Sequence, residues 1–194
     1  MLAAYGATPS YGAKFVSQSW PLASQPPLVI RCGETVAAQI VFKNAGAKPW
    51  DSATKLATTM PRDRASSFAG ADWLAPNRAA AITGTVAPGA NGTFAFSFQG
   101  PTGAACVPGT YHEHFGVVQE GVSWFSDSGA GGPADDLVEA LIQLEPGDAV
   151  PSDGGVPTGG DADPGGAPGG CAAGRGSASG LALLGLLALR RRRR

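Results

Sequence analysis

His112 and His114 are the only two histidines of the chain. At i and i+2 of an extended segment two imidazoles project from one face, and that spacing can grip a transition metal once a third protein ligand joins them. The sequence forces no His, Cys or carboxylate beside the pair, so the simpler reading is a solvated strand face. A second constellation runs from Trp124 to Asp136. It is a glycine-rich excursion holding Asp127, Asp135 and Asp136, with Trp124 and Phe125 at its root. Clustered carboxylates suit a hard cation such as Ca²⁺, but the spacing does not match an EF-hand loop, and an ordinary polar loop is the plainer account. A third group is Arg62-Asp63-Arg64, followed by Asp72-Trp73. Its charges form either a rim for acidic ligands or a surface ion-pair cluster. Trp73 and Trp124 either stack on sugar rings or close the end of a core, since an amphipathic aromatic serves both uses. The candidate binding surface is therefore Trp73, Trp124, Asp127, Asp135 and Asp136, with no metal or cofactor assigned.

Catalysis finds little support. There is no Gly-x-Ser-x-Gly elbow, no phosphate loop and no His-Glu-x-x-His. Neither histidine stands where a nucleophile and a base can be paired, and the expectation is a non-enzyme. Eight basic residues precede Arg175 and face all 15 Asp and Glu, so residues 1–174 carry a formal charge of 8 − 15 = −7. Such a body repels polyanions, and nucleic acid is not an expected partner.

The elements that must carry these residues are strands. Val36, Ala38, Ile40 and Phe42 alternate along Glu34–Asn44; Phe94, Phe96 and Phe98 alternate with Ala95 and Ser97. Tyr111, Glu113, Phe115 and Val117 alternate with His112, His114 and Gly116, and Val138, Ala140, Ile142 and Leu144 share a face. Period-two runs between Gly, Pro and Asn turns describe an all-β antiparallel sandwich. Further strands are expected over 13–19, 28–31, 54–58 and 81–86, seven or eight in all. Pro108-Gly109-Thr110-Tyr111 has the form of a tyrosine corner at the start of a late strand.

Gly33-Glu34, Phe42-Lys43-Asn44-Ala45-Gly46-Ala47-Lys48-Pro49-Trp50, Leu56, Val86-Ala87-Pro88-Gly89, Pro101 and Pro108-Gly109-Thr110-Tyr111 form an ordered set over about 130 residues. It resembles the Ig-like four-tryptophan (FW) domain of the Next-to-BRCA-one type, which also occurs in bacterial surface proteins. Asn-x-Gly-x-x-x-Trp is the most specific part. Of Trp20, Trp50, Trp73 and Trp124, only Trp50 falls on the family pattern. The resemblance implies an Ig-like fold and a non-catalytic domain that binds protein or polymer partners.

The ends of the chain add a different signal. From Pro146 to Gly180 there are 12 Gly and five Pro in 35 residues, a composition that cannot bury enough surface to offset its ordering entropy. Residues 147–170 read as a disordered tether. Cys171 then precedes an apolar run, 180–189, and five arginines, Arg190 to Arg194. An apolar helix satisfies its own backbone in lipid, and a cationic block resists translocation. The run is shorter than the roughly 20 residues of a full span. In order and placement, 171–194 resembles the MYXO-CTERM sorting signal. That resemblance implies a short membrane helix, a sorting protease as partner, and Cys171 as the region of processing or attachment. Met1-Leu-Ala-Ala-Tyr lacks the basic and apolar parts of a secretory signal, so the true N-terminus is expected upstream and residues 1–10 read as a remnant. In an exported protein Cys32 and Cys106, each just before a strand, are expected to pair and close a long loop; the alternative is two independent thiols. The resulting division is 1–10, an Ig-like domain over 11–146, the tether, and the sorting segment. The function expected is a non-catalytic cell-surface binding or adhesion module for an unknown surface protein or polysaccharide, anchored at the cell envelope. The alternative is the accessory, anchoring part of a larger surface enzyme such as a cell-wall hydrolase.

Overall fold

The computed structural model describes residues 8–147. The expected sorting segment with Cys171 lies outside them, as do the tether beyond Gly147 and the N-terminal remnant before Thr8. The described residues hold β1 (Ala13–Gln18), β2 (Leu28–Arg31), β3 (Thr35–Asn44), β4 (Thr54–Thr59), β5 (Arg78–Ala81), β6 (Asn91–Gln99), a 3₁₀ turn (Gly103–Ala105), β7 (Gly109–Gln119), β8 (Ser123–Trp124) and β9 (Glu139–Glu145). One sheet has the order β1-β3-β6. The other runs β2-β9-β7-β4-β5, with β8 added to β7. This is the β-sandwich that the alternation predicts, Ig-like as the resemblance implies, and no helix among the described residues is long and apolar enough to cross a membrane.

Three details differ from expectation. Nine strands form where seven or eight are expected, the additional one being the two-residue β8 beside β7. The strand expected over 81–86 is displaced to Arg78–Ala81: the amide of Ile82 makes one last bond to Thr54, and Gly84, at φ 75°, turns the chain away. Val86 then forms only an isolated bridge with Trp50. The sandwich is also not wholly antiparallel, because β2 pairs with β9 in parallel. Pro21, Pro26 and Pro27 stand between β1 and β2. Proline donates nothing to a ladder, so the chain leaves the first sheet, crosses the end of the sandwich and joins the second.

Alternation becomes a core of aromatic rings. Phe96 of β6 meets Phe115 of β7 across the sandwich at a centroid distance of 5.6 Å, and Phe98 meets it at 6.0 Å. Trp20 packs on all three at 5.7–6.2 Å and donates its indole N–H to the Glu139 carbonyl at 3.0 Å. Each such pair adds about 0.5–1.5 kcal/mol beyond simple burial.

Local turns explain the motif residues. The Asn44 side-chain amide donates to the carbonyls of Lys48 (2.9 Å) and Val86 (3.0 Å), and its oxygen accepts from the Gly46 amide at 3.0 Å. Asn44 thus closes the turn that delivers Trp50. Gly46 is needed for close approach, since a Cβ there would lie 2.7 Å from the Ser10 carbonyl oxygen. Trp50 is fully buried, 5.8 Å from Phe125 and laid over Gly92. The Tyr111 hydroxyl donates to the Val107 carbonyl at 2.6 Å, completing the tyrosine corner.

Cys32 and Cys106 form a disulfide across a sequence separation of 74, with Cα atoms 5.7 Å apart. It ties the end of β2 to the segment that feeds β7. Replacing both cysteines by serine is expected to lower stability by about 3–4 kcal/mol in the chain-entropy account. Urea unfolding checks this; a denaturation midpoint equal to that of the oxidised protein contradicts it.

Candidate functional site

Three of the candidate residues, Trp124, Asp127 and Asp135, come together on the outer face of the larger sheet, around one indole. Gly116 of β7 presents no side chain there, and the Trp124 ring lies over it; a Cβ on Gly116 would stand 3.4 Å from the ring. The β4–β5 connection supplies Arg62, whose guanidinium carbon lies 4.9 Å from the Trp124 ring centroid. Arg78, the first residue of β5, supplies a second guanidinium at 5.8 Å. Trp124 is therefore a half-buried ring attended by two cations, an arrangement favoured by the quadrupole of the indole.

The acidic loop is held by the same arginine. Arg62 Nε donates to Asp135 Oδ2 and Nη1 to Asp127 Oδ1, both at 2.7 Å, and Nη2 donates to Ser126 Oγ at 2.9 Å. Thr59 Oγ1 donates to the Asp135 carbonyl at 2.6 Å, and the Trp124 amide donates to Asp127 Oδ2 at 3.0 Å. The guanidinium thus stands between the two carboxylates where a bound cation would have to be. Asp63 and Glu120 both accept from Arg78, at 2.5 and 2.6 Å. Arg64 reaches inward to Glu113, with Nη2 2.8 Å and Nη1 3.2 Å from its two oxygens. The Arg62-Asp63-Arg64 run is an ion-pair cluster in which each charge has a partner of opposite sign within the chain. A polar cavity of about 310 Å³ opens beside the indole, walled by Asp63, Arg78, Glu120, Ser123, Trp124 and Asp127.

The remaining candidates fall elsewhere. Trp73 is 9 % exposed, packs on Phe96 and Phe115 at 5.8 and 6.0 Å, and donates its N–H to the Ser97 carbonyl at 2.7 Å. It closes the core and presents no ring face for stacking. Asp136 is exposed and makes no ion pair among the described residues. His112 and His114 do share the outer face, their rings parallel within 12° and 6.4 Å apart. Sequence reasoning missed their neighbour Glu139, whose Oε1 bonds His112 Nδ1 and lies 4.0 Å from His114 Nε2. The signal was the strand register, which sets His114 opposite Glu139 and is invisible in a linear sequence. As the side chains stand, no three His, Cys, Asp or Glu among the described residues form a metal shell.

Electrostatics follows the contacts. The hydrogen bond to Asp135, and then that to Asp127, raise the pKa of Arg62 against the desolvation that opposes them. Burial lowers that of Arg78, but its bonds to Glu120 and Asp63 outweigh this and raise it. The Arg62 bond pulls Asp127 below its ordinary value, and the Arg78 bond does the same for Glu120. A carboxyl that titrates lower when folded stabilises the fold above its unfolded pKa, near 4. That contribution is lost as pH falls through the lower folded value.

Two outcomes follow from this geometry. Acidification below about pH 4 is expected to loosen the 126–135 loop before the core melts, seen as faster amide exchange there with unchanged far-ultraviolet circular dichroism. Uniform exchange across the fold contradicts it. Arg64→Ala leaves the Glu113 carboxylate, 5 % exposed, without its partner, and is expected to cost about 3–5 kcal/mol. Arg62→Ala removes partly exposed pairs and is expected to cost about 1 kcal/mol or less. Equal losses in the two variants, measured by urea unfolding, contradict this ordering.

Comparison with known proteins adds neighbours of shape. No family model matches the chain, and no curated relative is found. Among solved structures, it is similar to the CARDB domain of a Pyrococcus furiosus protein in solution, with 13 % identity over 71 % of this chain and 95 % of that one and a TM-score of 0.38. It is likewise similar to the crystal structure of that CARDB domain in complex with di-metal ions, with 12 % identity over 72 % and 90 % of the two chains and the same TM-score of 0.38. At that level the likeness carries no argument, and the Ig-like assignment rests on the strand order given above.

Proposed function

We propose that the chain is a non-catalytic binding or adhesion module working outside the cytoplasm, with the cavity beside Trp124 as its contact surface. The observation that carries this reading is the indole held over Gly116 beside Arg62 and Arg78, next to a cavity walled by carboxylates and a guanidinium. Its side chains are already fixed by one another, so a ligand meets a surface whose ordering is complete before binding. Carboxylates and a guanidinium beside an indole suit a polyhydroxylated partner, whose hydroxyls donate to the carboxylates and accept from the guanidinium. A surface polysaccharide is thus the favoured ligand. The Cys32–Cys106 disulfide supports the compartment, because such bonds persist in oxidising spaces. Anchoring through 171–194 and processing near Cys171 belong to the same proposal, drawn from the sequence. The FW-type resemblance likewise supports a binding role without naming the partner.

The test is retention of the full chain on immobilised envelope polysaccharides and envelope proteins, alongside cell fractionation. Trp124→Ala is expected to weaken retention more than about tenfold while the melting temperature stays close to that of the parent, as expected of a central aromatic contact. Retention that survives Trp124→Ala, or an uncut chain found free in the cytosol, overturns the reading.

A further inference from the structure

We propose that His112, His114 and Glu139 form a surface site for a divalent transition ion of the zinc or copper class. The placement comes from the sheet. His112 and His114 are alternate residues of β7, and Glu139, the first residue of β9, lies directly opposite His114 in the antiparallel register. Facing residues of such a pair have Cβ atoms about 4.5–5.5 Å apart, and diagonal ones remain within reach of long side chains. The backbone therefore holds three donor-bearing side chains on one face at neighbouring points.

The side chains are turned toward one another. A single carboxylate oxygen, Glu139 Oε1, receives His112 Nδ1 and lies 4.0 Å from His114 Nε2. The His114 ring makes no hydrogen bond among the described residues, and no lysine or arginine there pairs with Glu139. This contrasts with Asp127 and Asp135, whose shared space Arg62 fills. Two imidazoles and one carboxylate are the donor set preferred by borderline divalent transition ions, whereas Ca²⁺ and Mg²⁺ call for oxygen.

The three do not form a shell as they stand, and the distance shows how much must change. Ligands on one tetrahedral zinc, each about 2.0–2.2 Å from the metal, stand roughly 3.3 Å from one another. His114 Nε2 at 4.0 Å from the carboxylate oxygen must close by less than about 1 Å, and the two rings, parallel within 12° and 6.4 Å apart, must turn about their side-chain bonds until both nitrogens face one point. The ion takes the place of the hydrogen bond between His112 and Glu139. The His112 side chain is 61 % exposed, so the remaining coordination positions open to solvent.

The probe is zinc chloride alone, titrated calorimetrically into the full chain at pH 7.5, with calcium chloride as the control. One zinc site is expected, and His112→Ala, His114→Ala and Glu139→Gln are each expected to weaken it by more than about 100-fold, beyond the roughly 10–100-fold effect of losing an outer-shell partner. Binding is expected to weaken as the solution is acidified, because protons compete with the ion for its ligands. Copper(II) broadening of the His112 and His114 ring resonances in the unaltered protein gives a readout that needs no variant. Zinc affinity unchanged in His114→Ala and Glu139→Gln, or broadening confined to other residues, overturns the proposal.

Discussion

The contact between Phe96 and Phe115 through the middle of the sandwich is the interaction on which everything else is hung. Sheets of this kind hold together only where their inner faces interlock, and here rings fill the centre while Ile40, Leu56, Ile142 and Leu144 pack around them. Trp20 and Trp73 bracket the pair, each with its N–H bonded to a main-chain carbonyl. The outer face of the larger sheet is then free of any packing duty toward the smaller one. It carries polar side chains because the other face has done the work of burial.

Three arginines organise that outer region. Arg62, Arg64 and Arg78 enter from one connection and the strand after it, and each reaches a carboxylate far away in sequence. A guanidinium fits this use because its donors are fixed in a plane and several can be satisfied together. Arg62 spans two aspartates and a serine while lying against an indole. A lysine there would supply charge without that geometry. The energetic weight is uneven: the Arg64–Glu113 pair is buried and depends on both partners, whereas the pairs of Arg62 remain partly in water.

Much of the fold was legible because it rests on period two. Phe94, Phe96 and Phe98 declared their face without help, and so did Ala140, Ile142 and Leu144. Asn44 and Gly46 marked a turn whose chemistry the structure bears out, and Pro108-Gly109-Thr110-Tyr111 marked the corner. What failed was whatever depends on long-range register. Arg78–Ala81 carries three alanines, too little side chain to reveal a strand, and its edge position is decided by pairing with β4. The parallel entry of β2 is a matter of path rather than composition. At the candidate site, Trp124, Asp127 and Asp135 were foreseen as neighbours, but the cation between the carboxylates was not. Arg62 lies 65 residues from Asp127, and proximity of that kind leaves no local pattern.

The parallel pairing of β2 with β9 has a mechanical side. Leu28 to Arg31 run alongside Ile142 to Glu145 in the same direction, and the Cys32 amide adds a bond to the Glu145 carbonyl. Tension entering before β2 and leaving after β9 pulls the two strands past each other lengthwise. Every rung of that ladder is then strained simultaneously instead of opening one after another like a zip. A domain pulled along that line gains resistance to stretching from that geometry alone.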